Sequence, residues 1–201
     1  MQASVPIQAD LVSLHDQLRR LSRSNAGRVF LAVSASALVA ICAHISVSLF
    51  FTPVPITLQT MAVIFIGLAL GPALGTSSMI LYLLEGGAGL PVLSPQGLGG
   101  TAQLMGPTGG YLLAYPLAAF VAGLIVRSLH AQRSNLMVPT LAALAATAVI
   151  FAAGATWLLL CLHLNAGTAW RLAVLPFLPG EALKIAGAVF AYNTFRRSRS
   201  V

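Results

Sequence analysis

The stretch Phe177–Lys184, FLPGEALK, places an acid, Glu181, and a base, Lys184, three residues apart inside an apolar run. Such a run reads as a membrane-spanning helix, where one charged side chain costs from about 2.5 to over 10 kcal/mol, depending on how the cost is measured. At i,i+3 spacing the two side chains leave the helix from the same face. Pro179 and Gly180, just before the acid, loosen the helix start, which suits a cavity better than a lipid-facing surface. The rest of the chain is therefore expected to form the walls, floor and lid of the hole into which these charges point.

Composition agrees with a membrane setting. Of the 201 residues 58% are hydrophobic and 7% charged, with a mean hydropathy of +0.89. A soluble domain carries about a quarter charged residues. The formal charge of +7 does not point to nucleic acid, because the basic residues flank the apolar runs without interleaved aromatics and serve better as topology determinants. Cys42 and Cys161 lie inside apolar runs and read as packing thiols rather than a disulfide or metal site. No secretory signal is read at the start: the apolar run from near Val29 is too long and too far in for an h-region, so it is expected to persist as a helix.

Working along the chain, residues 1–27 form a polar cytoplasmic segment. In it Leu11, Leu14, Leu18 and Leu21 recur at helical spacing opposite Arg19, Arg20 and Arg23, the pattern of a short amphipathic interfacial helix. Residues 28–195 form an all-α membrane domain of six spans, and residues 196–201 form a basic cytoplasmic tail. The first span runs from about Val29 to Phe51, long enough to cross about 30 Å of hydrocarbon. Its small residues Ala32, Ser36 and Ala40 make a ridge for close approach of another helix, inside this protein or in a partner. After the proline-stiffened turn FTPVPITLQT, a second span ends near Leu70, Gly71-Pro72 turns the chain, and a third span runs from Ala73 to about Leu84. Spans four to six are read over Tyr111–Val126, Pro139–Leu162 and the run containing FLPGEALK, with a polar turn from His163 to Arg171.

From Glu85 to Gly110 the chain has nine glycines and three prolines in 26 residues, a composition that predicts no regular helix. It retains Leu90, Val92, Leu93, Leu98, Leu104 and Met105, residues that disordered linkers lack, so it reads as an ordered, partly re-entrant lid. Nine of the eleven Lys and Arg fall on one side of six spans. The positive-inside rule makes that side cytoplasmic, with both termini on it and the glycine-rich loop outside. About 21 Å of helix separates Glu181 from Phe195, which puts the acid and base in the outer half of the membrane, beneath the lid.

No nucleophile–base pair, paired carboxylates or metal constellation is legible. His15, His44, His130 and His163 lack ligand spacing, and the glycine-rich loop lacks a phosphate-binding GxxxxGK[ST]. No catalytic residue, metal or cofactor is assigned. The remaining polar groups in an apolar setting have the make-up of a small-molecule site, or of a structural ion pair holding helices together. Gln59 is one further polar group, able to serve the site or to bond a neighbouring backbone.

Five stretches then become familiar: PVPITLQT (Pro53–Thr60), LGPALGTSS (Leu70–Ser78), GLPVL (Gly89–Leu93), GPTGGYLLAYP (Gly106–Pro116) and FLPGEALK. Together, and in this order, they closely resemble the BioY family, the biotin-specific S components of energy-coupling factor (ECF) transporters. The resemblance implies a bacterial cytoplasmic-membrane protein of six helices that captures biotin near the outer face. It also implies partners: a transmembrane T component docked on the small-residue motif of the first helix, here Ala32, Ser36 and Ala40, and two cytoplasmic ATPases that supply the energy. Lys184 matches the family lysine, and Glu181 stands where the family has an aspartate, one methylene shorter. Gln96, in SPQGLGG, matches the polar amide after GLPV, while Leu112 follows GGY where a basic residue can stand.

Biotin's ureido group presents two N–H donors and one acceptor, and its tail ends in a carboxylate. Glu181 is expected to accept a ureido N–H, Lys184 to donate to the ureido oxygen or the carboxylate, and Gln96 and Gln59 to extend the polar ring. Tyr82 and Tyr111 supply aromatic wall or plain core. Competing readings are an S component for another vitamin, an intramembrane enzyme using Glu181 as acid or base, and a structural scaffold with a buried ion pair.

Overall fold

The computed structural model describes residues 24–129 and 136–197. The first helix, α1 (Asn25–His44), is capped by Ser24, whose Oγ accepts a hydrogen bond from the Gly27 amide at 3.0 Å. It stops seven residues before the expected Phe51, because Ser46–Val47 (β1) leaves the helix to pair antiparallel with Ile56–Thr57 (β2). β-branched residues on both sides of this two-rung ribbon favour the extended form. The ribbon fixes the proline-rich connection between α1 and the helix that follows.

That helix, α2 (Gln59–Gly87), holds the topological key. Gly71 within it takes φ 79°, ψ 179°, a conformation that glycine adopts without steric penalty, and Pro72 follows with no amide to donate. The chain reverses there. Gln59 and Tyr82 would stand about 35 Å apart along a straight helix, yet their side chains hydrogen-bond at 2.6 Å. Residues 59–70 and 73–87 are thus two antiparallel arms, as the Gly-Pro turn predicts.

Beyond the loop come two short helices, α3 (Gly100–Met105) and α4 (Gly109–Leu113), then α5 (Tyr115–Ser128), α6 (Met137–Cys161) and α7 (Ala166–Ala173). A 3₁₀ turn (Leu175–Phe177) leads into α8 (Leu178–Arg197). Among the described residues five helical stretches are long and apolar enough to cross a membrane, and since one of them folds back at Gly71 they supply six membrane rods. This is the all-α, six-helix architecture read from the sequence.

The two arms of α2 form the centre, with α1, α5, α6 and α8 packed around them. Small residues set the spacing. A Cβ on Gly123 of α5 would lie 2.5 Å from both the Gly71 carbonyl carbon and the Pro72 nitrogen, so the two backbones touch at the reversal. Large apolar side chains such as Phe30, Leu160, Leu183 and Phe190 face outward, as a lipid-embedded bundle requires.

Several sequence expectations need correction. The glycine-rich stretch does contain helix: α2 runs to Gly87, and Thr101–Met105 are adequate helix formers once Gly99 and Gly100, both at positive φ, turn the chain into α3. The presumed polar turn from His163 to Arg171 contains most of α7, because Asn165 caps it by accepting from the Thr168 amide at 2.8 Å. The ridge Ala32–Ser36–Ala40 faces inward. Ser36 is fully buried and its hydroxyl donates to the Glu85 carboxylate on the second arm of α2, so at this position the partner is internal. The amphipathic helix expected around Leu11–Leu21 lies outside the described residues, as do Arg133 and the tail beyond Arg197.

Candidate functional site

Two helix N-termini meet at one end of the bundle. Glu181 sits in the first turn of α8, and Gln59 and Thr60 sit in the first turn of α2. The partial positive charge of both termini favours an anion between them. Glu181 is 3% exposed and Lys184 7%, and Lys184 Nζ donates to Glu181 Oε2 at 3.0 Å and to Thr60 Oγ1 at 3.2 Å. Glu181 Oε1 is buried without a hydrogen-bond partner among the described residues. The pair therefore has one acceptor unspent.

Both charges line a partly open cavity of ≈ 50 Å³, whose wall also includes Gln59, Ser94, Gln103, Thr108, Tyr111 and Phe177. A second recess of ≈ 210 Å³ adjoins it, sharing Pro55, Gln103 and Thr108. The chain segments that close this end are the proline-rich connection after α1, the loop after α2 and the start of α4.

The expected residues divide into two groups. Glu181, Lys184, Gln59 and Tyr111 line the cavity together. Gln59 is held at both ends of its amide, donating to Tyr82 Oη at 2.6 Å and accepting from Thr57 Oγ1 at 3.1 Å. Tyr111 donates to the Ala173 carbonyl at 2.6 Å, and its ring fills the space left by Gly154 on α6. Tyr82 is not in the wall. It stands behind Gln59, fully buried, and its hydroxyl donates a hydrogen bond to the Val92 carbonyl at 3.0 Å.

Gln96 is also outside this cavity. Its exposed amide bridges to the ribbon segment, donating to Ser46 Oγ at 3.2 Å and accepting from Ser48 Oγ at 3.0 Å, and it borders only the adjoining recess. The buried amide of this region is Gln103, seven residues further on, 4% exposed. Sequence reasoning missed Gln103, Ser94, Thr60 and Thr108. Thr60 carried a signal, since it closes the PVPITLQT stretch, and Gln103 was the one amide in the TAQLM helix.

The site so built is a small recess with one cation, one half-satisfied carboxylate, two amides and several hydroxyls. It can recognise a neutral or zwitterionic molecule through hydrogen bonds. Among the described residues no cluster of His, Cys, Asp or Glu could hold a metal.

Comparison with known proteins follows from here. A family model described as BioY matches residues 15–200. A probable biotin transporter BioY from Pyrococcus horikoshii is 41% identical over 153 residues, covering 76% of this chain and 86% of that protein. A biotin transporter BioY from Rhizobium etli is 34% identical over 161 residues, covering 78% of this chain and 85% of the other. Among solved structures, the S-component for biotin from an ECF-type ABC transporter superposes with a TM-score of 0.78 at 28% identity, over 87% of this chain and 94% of that one.

Breaking one half of the buried pair leaves the other charge uncompensated, a loss of about 3–5 kcal/mol, whereas removing both charges costs far less. Thermal unfolding in detergent is expected to show Lys184→Met well below wild type and the double variant Glu181→Gln/Lys184→Met close to it. Additive losses would mean that the two side chains do not interact.

Proposed function

This chain belongs to the BioY family, and from that premise we propose that it is the S component that captures biotin for an ECF-type transporter. The observation that carries the reading is the Glu181–Lys184 pair, buried at the start of two helices on the wall of a cavity, with one carboxylate oxygen unspent. A cyclic urea suits that arrangement. Glu181 Oε1 accepts one ureido N–H, and Lys184, with two of its three donors engaged by Glu181 and Thr60, gives the third to the ureido oxygen. Gln59 and Tyr111 shape the wall, and Tyr82 acts through Gln59.

The cavity of ≈ 50 Å³ is well below the several hundred Å³ of most small-molecule sites, so a wall must move for it to hold a ligand of biotin's size. The glycine-rich segment after α2 is the lid in this reading. Leu93 anchors it in the core and the Val92 carbonyl accepts from Tyr82, while its outer part is tied by polar contacts: Gln96 to the ribbon serines, and the Trp157 indole donating to the Gly106 carbonyl at 2.9 Å. When it lifts, the adjoining recess at Gln96 joins the cavity and gives the valerate tail of biotin a place.

The other end of the bundle carries Arg28, the Gly71 turn, Arg127 and Tyr192 around a recess of ≈ 670 Å³. By the positive-inside rule this end is cytoplasmic, both termini lie there, and biotin enters from outside. A transmembrane T component, driven by two cytoplasmic ATPases, completes the transporter. With Ser36 turned inward, Ala32 is the member of the small-residue ridge that opens onto this recess, and docking is assigned there.

Two measurements test the proposal. Equilibrium binding of tritiated biotin to purified protein is expected to be specific against thiamine and riboflavin, and Glu181→Gln is expected to weaken it at least about tenfold, the worth of one hydrogen bond to a charged group. Thiamine binding without biotin binding would contradict the reading. Ala32→Leu is expected to keep biotin binding and lose co-purification with the T component, whereas an intact complex would refute docking at that recess.

A further inference from the structure

A cyclic urea inside a closed site needs two acceptors and at least one donor. Lys184 is the donor, and Glu181, with Oε2 engaged by Lys184, offers only Oε1. The second N–H still requires an acceptor. Gln59, Thr57 and Tyr111 already direct their polar atoms to Tyr82, to one another and to the Ala173 carbonyl, and Thr60 Oγ1 takes the lysine. The Thr108 and Tyr115 hydroxyls also line the wall, and one further wall oxygen is both fully buried and unpaired among the described residues. Ser94, 5% exposed, has an Oγ without a hydrogen-bond partner among the described residues, the same condition as Glu181 Oε1 across the same cavity.

Resting on the biotin reading above, we propose that Ser94 is the specificity-determining contact for the second ureido N–H, and that Gln103 is the positioning residue that aims it. Gln103 sits inside the turn that carries Ser94. Its Nε2 donates to the Ser94 carbonyl at 3.2 Å and its Oε1 accepts from the Gly99 amide at 3.1 Å, while the Gly97 amide closes the turn on the same Ser94 carbonyl at 3.2 Å. Gly97 has no side chain, and a Cβ there would lie 2.5 Å from Gln103 Nε2, so the amide is clamped against the turn's backbone. Ser94 is thereby set on the cavity wall by a turn held through its own carbonyl and the Gly97 and Gly99 amides. The loop thus contributes a reader of the ligand as well as a cover.

The test uses full-length purified protein and three ligands: biotin and its two mono-N-methyl derivatives, each blocking one ureido N–H. Dissociation constants are measured by competition with tritiated biotin. Ser94→Ala is expected to weaken biotin by about tenfold, in line with the loss of one buried hydrogen bond. For the methyl derivative whose blocked nitrogen faces Ser94, wild type and Ser94→Ala are expected to bind equally. The other derivative should keep the tenfold difference and instead erase the effect of Glu181→Gln. Gln103→Ala is expected to reproduce the Ser94→Ala pattern across the three ligands, which a general loosening of the fold would not. Equal weakening of all three ligands by Ser94→Ala, or no weakening, overturns the assignment while leaving biotin binding in place. Absence of biotin binding by wild type overturns the reading on which it rests.

Discussion

A buried lysine ammonium held between a carboxylate and a threonine hydroxyl is the constraint from which the rest of this structure follows. Each charge alone is costly in a membrane, and the pair is tolerated only with near-ideal geometry and with remaining valences answered. The 3.0 Å contact between Lys184 and Glu181, the Thr60 bond at 3.2 Å and the start of two helices at the same place supply that geometry. One carboxylate oxygen stays unanswered among the described residues. A pair kept only for stability would close that gap, whereas a binding site leaves it for a ligand.

The surrounding architecture serves to hold those two helix starts together. The reversal at Gly71 returns the chain so that Tyr82, on the second arm of α2, can hold Gln59 at the beginning of the first. α5 approaches the turn closely enough that Gly123 has no room for a side chain, and Tyr111 reaches across to the carbonyl that ends α7. The two-rung ribbon Ser46–Val47 with Ile56–Thr57 anchors the proline-rich strap over the same end. Polar bonds between segments far apart in sequence thus gather around the cavity, and the opposite end is packed by small residues.

Much of this was legible in the chain. An acid and base three residues apart in an apolar run announced a cavity, Gly-Pro announced the reversal, and the length of the apolar runs gave the six rods. Their limits were less legible. α1 ends early because Val47 and Ile56 pair as a ribbon, a long-range event that no local propensity encodes. Gly100–Met105 and Ala166–Ala173 are helical against a glycine-rich or polar background because a turn or an asparagine cap starts each one. Of the side chains expected in the site, Glu181, Lys184, Gln59 and Tyr111 line one cavity, whereas Gln96 lies outside it. A buried amide does line the cavity, but it is Gln103, since Gln96 is drawn outward by Ser46 and Ser48. Spacing alone showed that Ala32, Ser36 and Ala40 share a helix face; it could not show that Glu85 waits on the inner side of it.

The proposed role of the buried Lys184 ammonium is to polarise a ureido carbonyl. Isotope-edited infrared difference spectroscopy reads that bond itself. With biotin carrying ¹³C at the ureido carbon, at saturating ligand, the carbonyl band in the wild-type complex should lie below its position in the Lys184→Met complex, because a charged donor weakens the C=O bond. A band at the same frequency in both complexes would mean that Lys184 does not touch the ureido oxygen, and the account of why this chain keeps two charges in its membrane core would fail.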